Sequence, residues 1–196
     1  MTITMNSEIL DRFKDWFSEA EEKEPSNPNA MSLATSSPDG MPSVRIVLLK
    51  EYDEHGFVFY TNLASRKGQE LAANPKGSLC FHWKSLDKQI RIEGAIEAVS
   101  EEQADAYFAG RPRASRIGAW ASKQSQAMEG RFEFEARIAK YTAKFGVGEV
   151  PRPEFWSGFR LIPDRIEFWH EHAYRLHDRN VFVIDGAGWR VEKLYP

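Results

Sequence analysis

The most chemically loaded stretch of the chain is Arg175-Leu176-His177-Asp178-Arg179. If it is extended, side chains alternate between faces, so Arg175, His177 and Arg179 share one face and Leu176 and Asp178 take the other. Three cationic or protonatable groups in a row repel one another. An anion lying against the row would relieve that repulsion. The plainer alternative is a charged strand edge that discourages pairing with other chains.

Similar clusters recur. Arg45 and Lys50 bracket the apolar run Ile46-Val47-Leu48-Leu49. On one regular strand they would face opposite ways, which suits two anions better than one, although a buried strand with charged ends has the same pattern. Arg66 and Lys67 follow Ser65 at the start of a short helical pattern, just after Tyr60-Thr61. Cations there oppose the helix dipole, whereas an anion could take the free backbone N–H groups and both side chains. Tyr107, Arg111 and Ser115 are spaced four and four, with Pro112 interrupting. A phenol, a guanidinium and a hydroxyl all donate to phosphate, and an ordinary helix surface is the alternative. Gln124 and Ser125 lie in the polar stretch 122–125, Gln89 is a further polar group among apolar neighbours, and Trp169 offers either a stacking face or plain core.

Composition limits what these clusters can mean. With a formal net charge of −3, the chain carries no global positive field, so a general nucleic-acid binder is disfavoured and anions must be met locally. Cys80 is the single cysteine, which excludes an intrachain disulfide and makes a reducing, cytoplasmic setting the expectation. There is neither an apolar run long enough to span a membrane nor a signal-like N-terminus. Dinucleotide, Walker-type and Gly-x-Ser-x-Gly fingerprints are missing. Cys80 and His82 have no further ligand pair, so a zinc site is unsupported; His170 and His172 would share a strand face and could bind metal, but an exposed edge is the plainer reading, and no metal is expected.

The elements that must position these groups follow from periodicity. A helix is expected over 7–22, with Ser7 as its cap and Ile9, Leu10, Phe13, Trp16, Phe17 and Ala20 on one face. Strands are expected over 30–37, 43–51, 57–61, 77–84, 88–98, 156–162, 165–172, 174–184 and 188–194, with a Pro38-Asp39-Gly40 turn after the first. Helices are expected over 66–73, from a Ser100–Gln103 capping box to about 110, from Pro112 through 119, and over 129–145. Short strands with turn signals and inserted helices point to an antiparallel barrel, mainly β with added helices, as one structural domain. Residues 1–29 form an N-terminal helix and linker, and 30–196 form the barrel.

Taken together and in order, RIVLLK (45–50), FYTNLASRKGQEL (59–71), YFAGRPRASRIGAWASKQS (107–125), FWSGFRL (155–161), RIEFW (165–169), RLHDR (175–179) and the final LYP resemble the pyridoxamine 5′-phosphate oxidase family. The resemblance implies a homodimeric FMN-binding split β-barrel. It further implies oxidation of pyridoxamine or pyridoxine 5′-phosphate to pyridoxal 5′-phosphate, by hydride transfer to flavin N5, with dioxygen reduced to hydrogen peroxide. Implied FMN contacts are Arg45, Ile46, Val47, Leu48, Leu49, Lys50, Tyr60, Thr61, Arg66, Lys67, Gln89, Gln124, Ser125, Trp169 and Arg179. Implied substrate contacts are Lys50, Tyr107, Arg111 and Ser115 around the phosphate, and Arg175, Leu176 and His177 at the ring, with Arg175 and His177 as the catalytic pair. Members of the family often carry a basic, tyrosyl N-terminal arm over the substrate, and none is evident ahead of the first helix here.

Overall fold

A computed structural model describes residues 3–196, so Met1 and Thr2 of the N-terminal segment lie outside the described residues. Helix α1 (Ser7–Lys23) is capped not by Ser7 but by Asn6, whose side chain accepts from the Ile9 N–H at 3.0 Å. Its buried stripe of Ile9, Phe13, Phe17 and Ala20 has the helical period. Phe13 meets the rings of Tyr52, Phe57 and Phe81 at 4.8, 4.9 and 5.7 Å. The helix therefore shares one core with the strands, and each such buried aromatic contributes about 1.5–3 kcal/mol.

Among the described residues, nine antiparallel strands form one sheet ordered β2-β1-β5-β6-β7-β4-β3, with β8 on β7 and β9 on β8. These strands are β1 (Ala30–Ser36), β2 (Pro42–Leu48), β3 (Glu51–Asp53), β4 (Gly56–Asn62), β5 (Lys76–Trp83), β6 (Lys88–Ala98), β7 (Trp156–His170), β8 (Asp178–Asp185) and β9 (Gly188–Lys193). The two ends of the order, β2 and β3, are joined by Leu49-Lys50 alone, so the sheet curls to bring the end of β2 beside the start of β3. The expected single strand over 43–51 is thus two. Leu49 turns into the core at 4% exposure, and the Lys50 N–H bonds Val58 O at 2.9 Å.

The expected break within 156–172 is absent. β7 runs straight through Pro163, because Asp164 is an unpaired bulge residue between the pairs Gly94↔Pro163 and Glu93↔Arg165. A bulge tolerates a residue with no N–H to give. Gly94 is required there, since a Cβ would stand 1.9 Å from Ile162 O.

Helices α2 (Arg66–Ala73), α3 (Glu101–Gly110), α4 (Arg113–Ala121) and α5 (Glu133–Phe145) complete the fold. Ser65 and Ser100 cap α2 and α3 as expected, accepting from Gly68 and Gln103 N–H groups. The helix expected over 129–145 starts at Glu133. Helices α3 to α5 build a second, smaller core around Phe108, Ile117, Val150 and Trp156, and this layer stands over the β2 and β4 side of the barrel.

Candidate active site

The gap between the barrel and the helical layer is a cavity of about 650 Å³. From β2 and its end come Arg45, Ile46, Val47, Leu48 and Lys50; from β4, Tyr60 and Thr61; from α2, Lys67. The helical layer supplies Tyr107, Arg111 and Ser115, and Gln124 follows α4. Arg45 and Lys50 reach the same space because the chain turns at Leu49, contrary to the opposed faces of a continuous strand. The lining contains four cations and, among the described residues, no carboxylate.

Among the described residues, three of those cations, Lys50, Lys67 and Arg111, lack a carboxylate partner, and the last two are the more buried. Lys67 Nζ donates to Gln124 Oε1 at 3.1 Å and Thr61 Oγ1 at 3.2 Å, both neutral. Burial, and then the nearby Arg45 charge, push its pKa down. Arg111 stands over the Trp156 and Phe108 rings at 4.7 and 5.5 Å. Its Nη1 is buried with no hydrogen-bond partner, and burial lowers its pKa. Leaving a buried donor unmet costs about 1–3 kcal/mol, a cost that a bound anion would remove.

Arg45, and Arg66 beside the cavity, are held from behind by a carboxylate that sequence reasoning passed over. Glu70, 6% exposed, meets Arg66 Nε at 2.8 Å and Arg45 Nη2 at 3.2 Å. Burial would raise its pKa, but hydrogen bonds from Ser43, Thr35, Arg66 and Arg45 outweigh that and hold it down at about 2. Arg66 lies outside the cavity lining, and its outer nitrogens remain available at the head of α2. The i, i+4 spacing of Arg66 and Glu70 was a usable signal. The carboxylates Glu51 and Glu167 left none.

The ring of Tyr60 is fixed by shape. It lies across Gly158, its cross-strand partner, where a Cβ would stand 2.7 Å from the ring. It stacks on Tyr107 at 3.9 Å and on Trp156 at 5.4 Å, all nearly parallel. Trp156 is a further lining residue that sequence reasoning missed.

The remaining predicted residues do not border this cavity. Gln89, Trp169 and Arg179 form a cross-strand row on β6, β7 and β8. Arg179 Nε donates to the buried Glu167 at 2.8 Å, and Nη1 donates to Tyr195 O at 2.9 Å. His177 packs on Trp169 at 4.9 Å, and its Nδ1 accepts from the His172 N–H at 3.3 Å. Ser125, at φ +70°, borders a smaller hollow that shares Gln124 with the main cavity.

The expectation of an extended 174–184 strand fails at its start. Residues 173–175 form a 3-10 turn with Tyr174 and Arg175 in the left-handed region, at φ +60° and +61°. Arg175, His177 and Arg179 are therefore not a row on one strand face, and Leu176 projects at 70% exposure. Backbone held in this way by non-glycine residues clusters at functional segments.

A family profile described as pyridoxamine 5′-phosphate oxidase matches residues 17–145, and one described as the pyridoxine 5′-phosphate oxidase C-terminal dimerisation region matches 156–196. A pyridoxine/pyridoxamine 5′-phosphate oxidase of Chelativorans sp. is 57% identical over 185 residues, covering 94% of this chain and 88% of that protein. One from Brucella anthropi is 54% identical, covering 98% and 96%. Among solved structures, PhzG from Burkholderia lata superposes with a TM-score of 0.92 at 33% identity, covering 97% of this chain and 94% of that one. With both profiles matched in order and relatives alike over nearly their whole length, this chain belongs to the pyridoxamine 5′-phosphate oxidase family of enzymes.

Proposed function

We propose that the enzyme oxidises pyridoxine 5′-phosphate or pyridoxamine 5′-phosphate to pyridoxal 5′-phosphate, using FMN and passing electrons to dioxygen as hydrogen peroxide. The observation that carries this is the pair of half-buried cations without a counter-charge, Lys67 and Arg111, at two positions of a cavity with, among the described residues, no lining carboxylate. Two phosphorylated ligands would answer two separate cation groups. When bound, FMN supplies the two-electron acceptor that dioxygen restores.

The donor set fits that cofactor. Arg66 and Lys67 at the head of α2, with Arg45 braced by Glu70, would hold its phosphate. The remaining cofactor-binding positions are the Ile46–Lys50 segment, Tyr60, Thr61, Gln89, Gln124, Ser125, Trp169 and Arg179. Tyr107, Arg111, Ser115 and Lys50 would clamp the substrate phosphate, and such positioning can remove several kcal/mol of barrier. Arg175, Leu176 and His177 would lie against the substrate ring. Because Nδ1 of His177 accepts the His172 N–H, its neutral ring carries the proton on Nε2 and presents a donor there.

These two groups would complete one site only across two chains. The exposed apolar row Val44, Ile46 and Leu48 on β2 runs into the cavity lining at Ile46 and Leu48, and a two-fold copy would cover it while bringing the β7–β8 group over the cavity. A working place in the cytoplasm suits the lone Cys80 and the absence, among the described residues, of a helix long and apolar enough to cross a membrane.

The test is to purify the protein, record its absorption for bound flavin, and add pyridoxine 5′-phosphate in air. Equal amounts of peroxide and a new aldehyde chromophore are expected. Flavin bound without turnover would instead mark a carrier.

A further inference from the structure

We infer that Glu51 is a positioning residue for the substrate-phosphate clamp: its carboxylate ties Tyr60 of β4 to Gln103 of α3 and so sets where Tyr107 and Arg111 stand. This rests on the clamp assignment above. Glu51 Oε1 accepts from the Tyr60 hydroxyl at 2.9 Å, and Oε2 accepts from Gln103 Nε2 at 2.7 Å. One side chain at the short edge strand β3 thereby joins the barrel wall to the helix carrying half the clamp.

What Glu51 holds is continuous with the clamp. Tyr60 stacks face to face on Tyr107, and both lie parallel to Trp156, over which the Arg111 guanidinium stands. Gln103 is one helical turn before Tyr107 on α3, and Arg111 caps the C-terminal end of the same helix. The Ser100–Gln103 capping pattern is only half used in consequence. Ser100 accepts from the Gln103 N–H at 3.1 Å, while the Gln103 side chain leaves the cap for Glu51.

Burial, and then the hydrogen bond and charge of Glu51, raise the Tyr60 pKa, with Tyr107 adding to the shift and Arg160 opposing it. The phenol therefore stays protonated and keeps donating. Glu51 is absent from the cavity lining, so it acts through Tyr60 and Gln103 rather than on a ligand.

The test compares Glu51→Ala with Glu51→Gln, alongside Arg111→Met. Glu51→Ala, which loses both hydrogen bonds, is expected to raise KM for pyridoxine 5′-phosphate about tenfold, the worth of a single hydrogen bond to a charged group reaching the clamp, with kcat within about twofold. Glu51→Gln should restore KM, since its amide oxygen still accepts from Tyr60 and the Gln103 amide can turn to meet its NH2. Ultraviolet titration of tyrosinate, referenced to Tyr60→Phe, should show Tyr60 ionising at lower pH in both Glu51 variants, because both lose the negative charge. An unchanged KM in Glu51→Ala, or a Glu51→Gln enzyme as impaired as Glu51→Ala, would overturn the inference. If Arg111→Met also leaves KM unchanged, the clamp assignment itself has failed; if only Glu51→Ala does, the positioning role alone has failed.

Discussion

Replacing Arg111 with methionine should move stability and affinity in opposite directions. Without ligand, the Arg111 guanidinium is half-buried, its Nη1 meets no acceptor, and its compensation is the Trp156 face at 4.7 Å. Removing an unmet buried donor recovers about 1–3 kcal/mol, and losing the cation–π contact gives back about 0.5–2 kcal/mol. Methionine keeps the length and makes a favourable sulfur–ring contact. The net is a ligand-free protein more stable by about 1 kcal/mol, or a melting point about 2–4 °C higher for a chain of this size. In the complex, the same change removes charge-assisted hydrogen bonds worth about 2–3 kcal/mol, raising KM for pyridoxine 5′-phosphate about 30- to 150-fold. Thermal unfolding of the flavin-free protein and steady-state kinetics of the holoenzyme read the two effects. A lower melting point together with an unchanged KM would refute the assignment, making Arg111 a structural cation.

Three further outcomes are expected. Glu70 is held near a pKa of about 2, below the ordinary 4.5, so its stabilising contribution is full above about pH 4.5 and is lost as pH falls through about 2. That contribution is about 3 kcal/mol, and Glu70→Gln should flatten the acid limb of the urea-unfolding profile between those values; an unchanged limb would contradict it. Lys67→Ala should release flavin on dialysis, whereas Arg175→Ala should retain flavin and lose turnover, and the reverse pattern would exchange their roles. Gly94→Ala forces a Cβ to 1.9 Å from Ile162 O, so it should cost about 2 kcal/mol or more of stability in denaturant titration by breaking the β6–β7 bulge.

Periodicity made most of the fold legible. The stripe of Ile9, Phe13 and Phe17 and the alternation Met31, Leu33, Thr35 are properties of single elements, and the structure keeps them. What failed depended on neighbours. Pro163 marks a strand break in one-dimensional reasoning but sits at a bulge whose opposite glycine is distant in sequence. Arg175 to Arg179 alternates like a strand, yet Tyr174 and Arg175 adopt left-handed backbone without the glycine or asparagine that usually announces it. The cavity cations stand out by their own chemistry, because cations clustered in a chain of net charge −3 need a reason to be there, while their assembly into one site rests on the family resemblance. The carboxylates behind them were not, since Glu51 and Glu167 acquire meaning only from partners on other elements.

If each chain carries two half-sites that a second copy joins, complementation follows on mixing Arg111→Met chains with Arg175→Ala chains, both impaired at substrate well below the wild-type KM. Reassortment would make about half the dimers hybrid, each with one intact site and one doubly damaged site, so activity should rise to about a quarter of wild type. A mixture no more active than its parents, with hybrid dimers verified by native mass spectrometry, would contradict a site shared between chains.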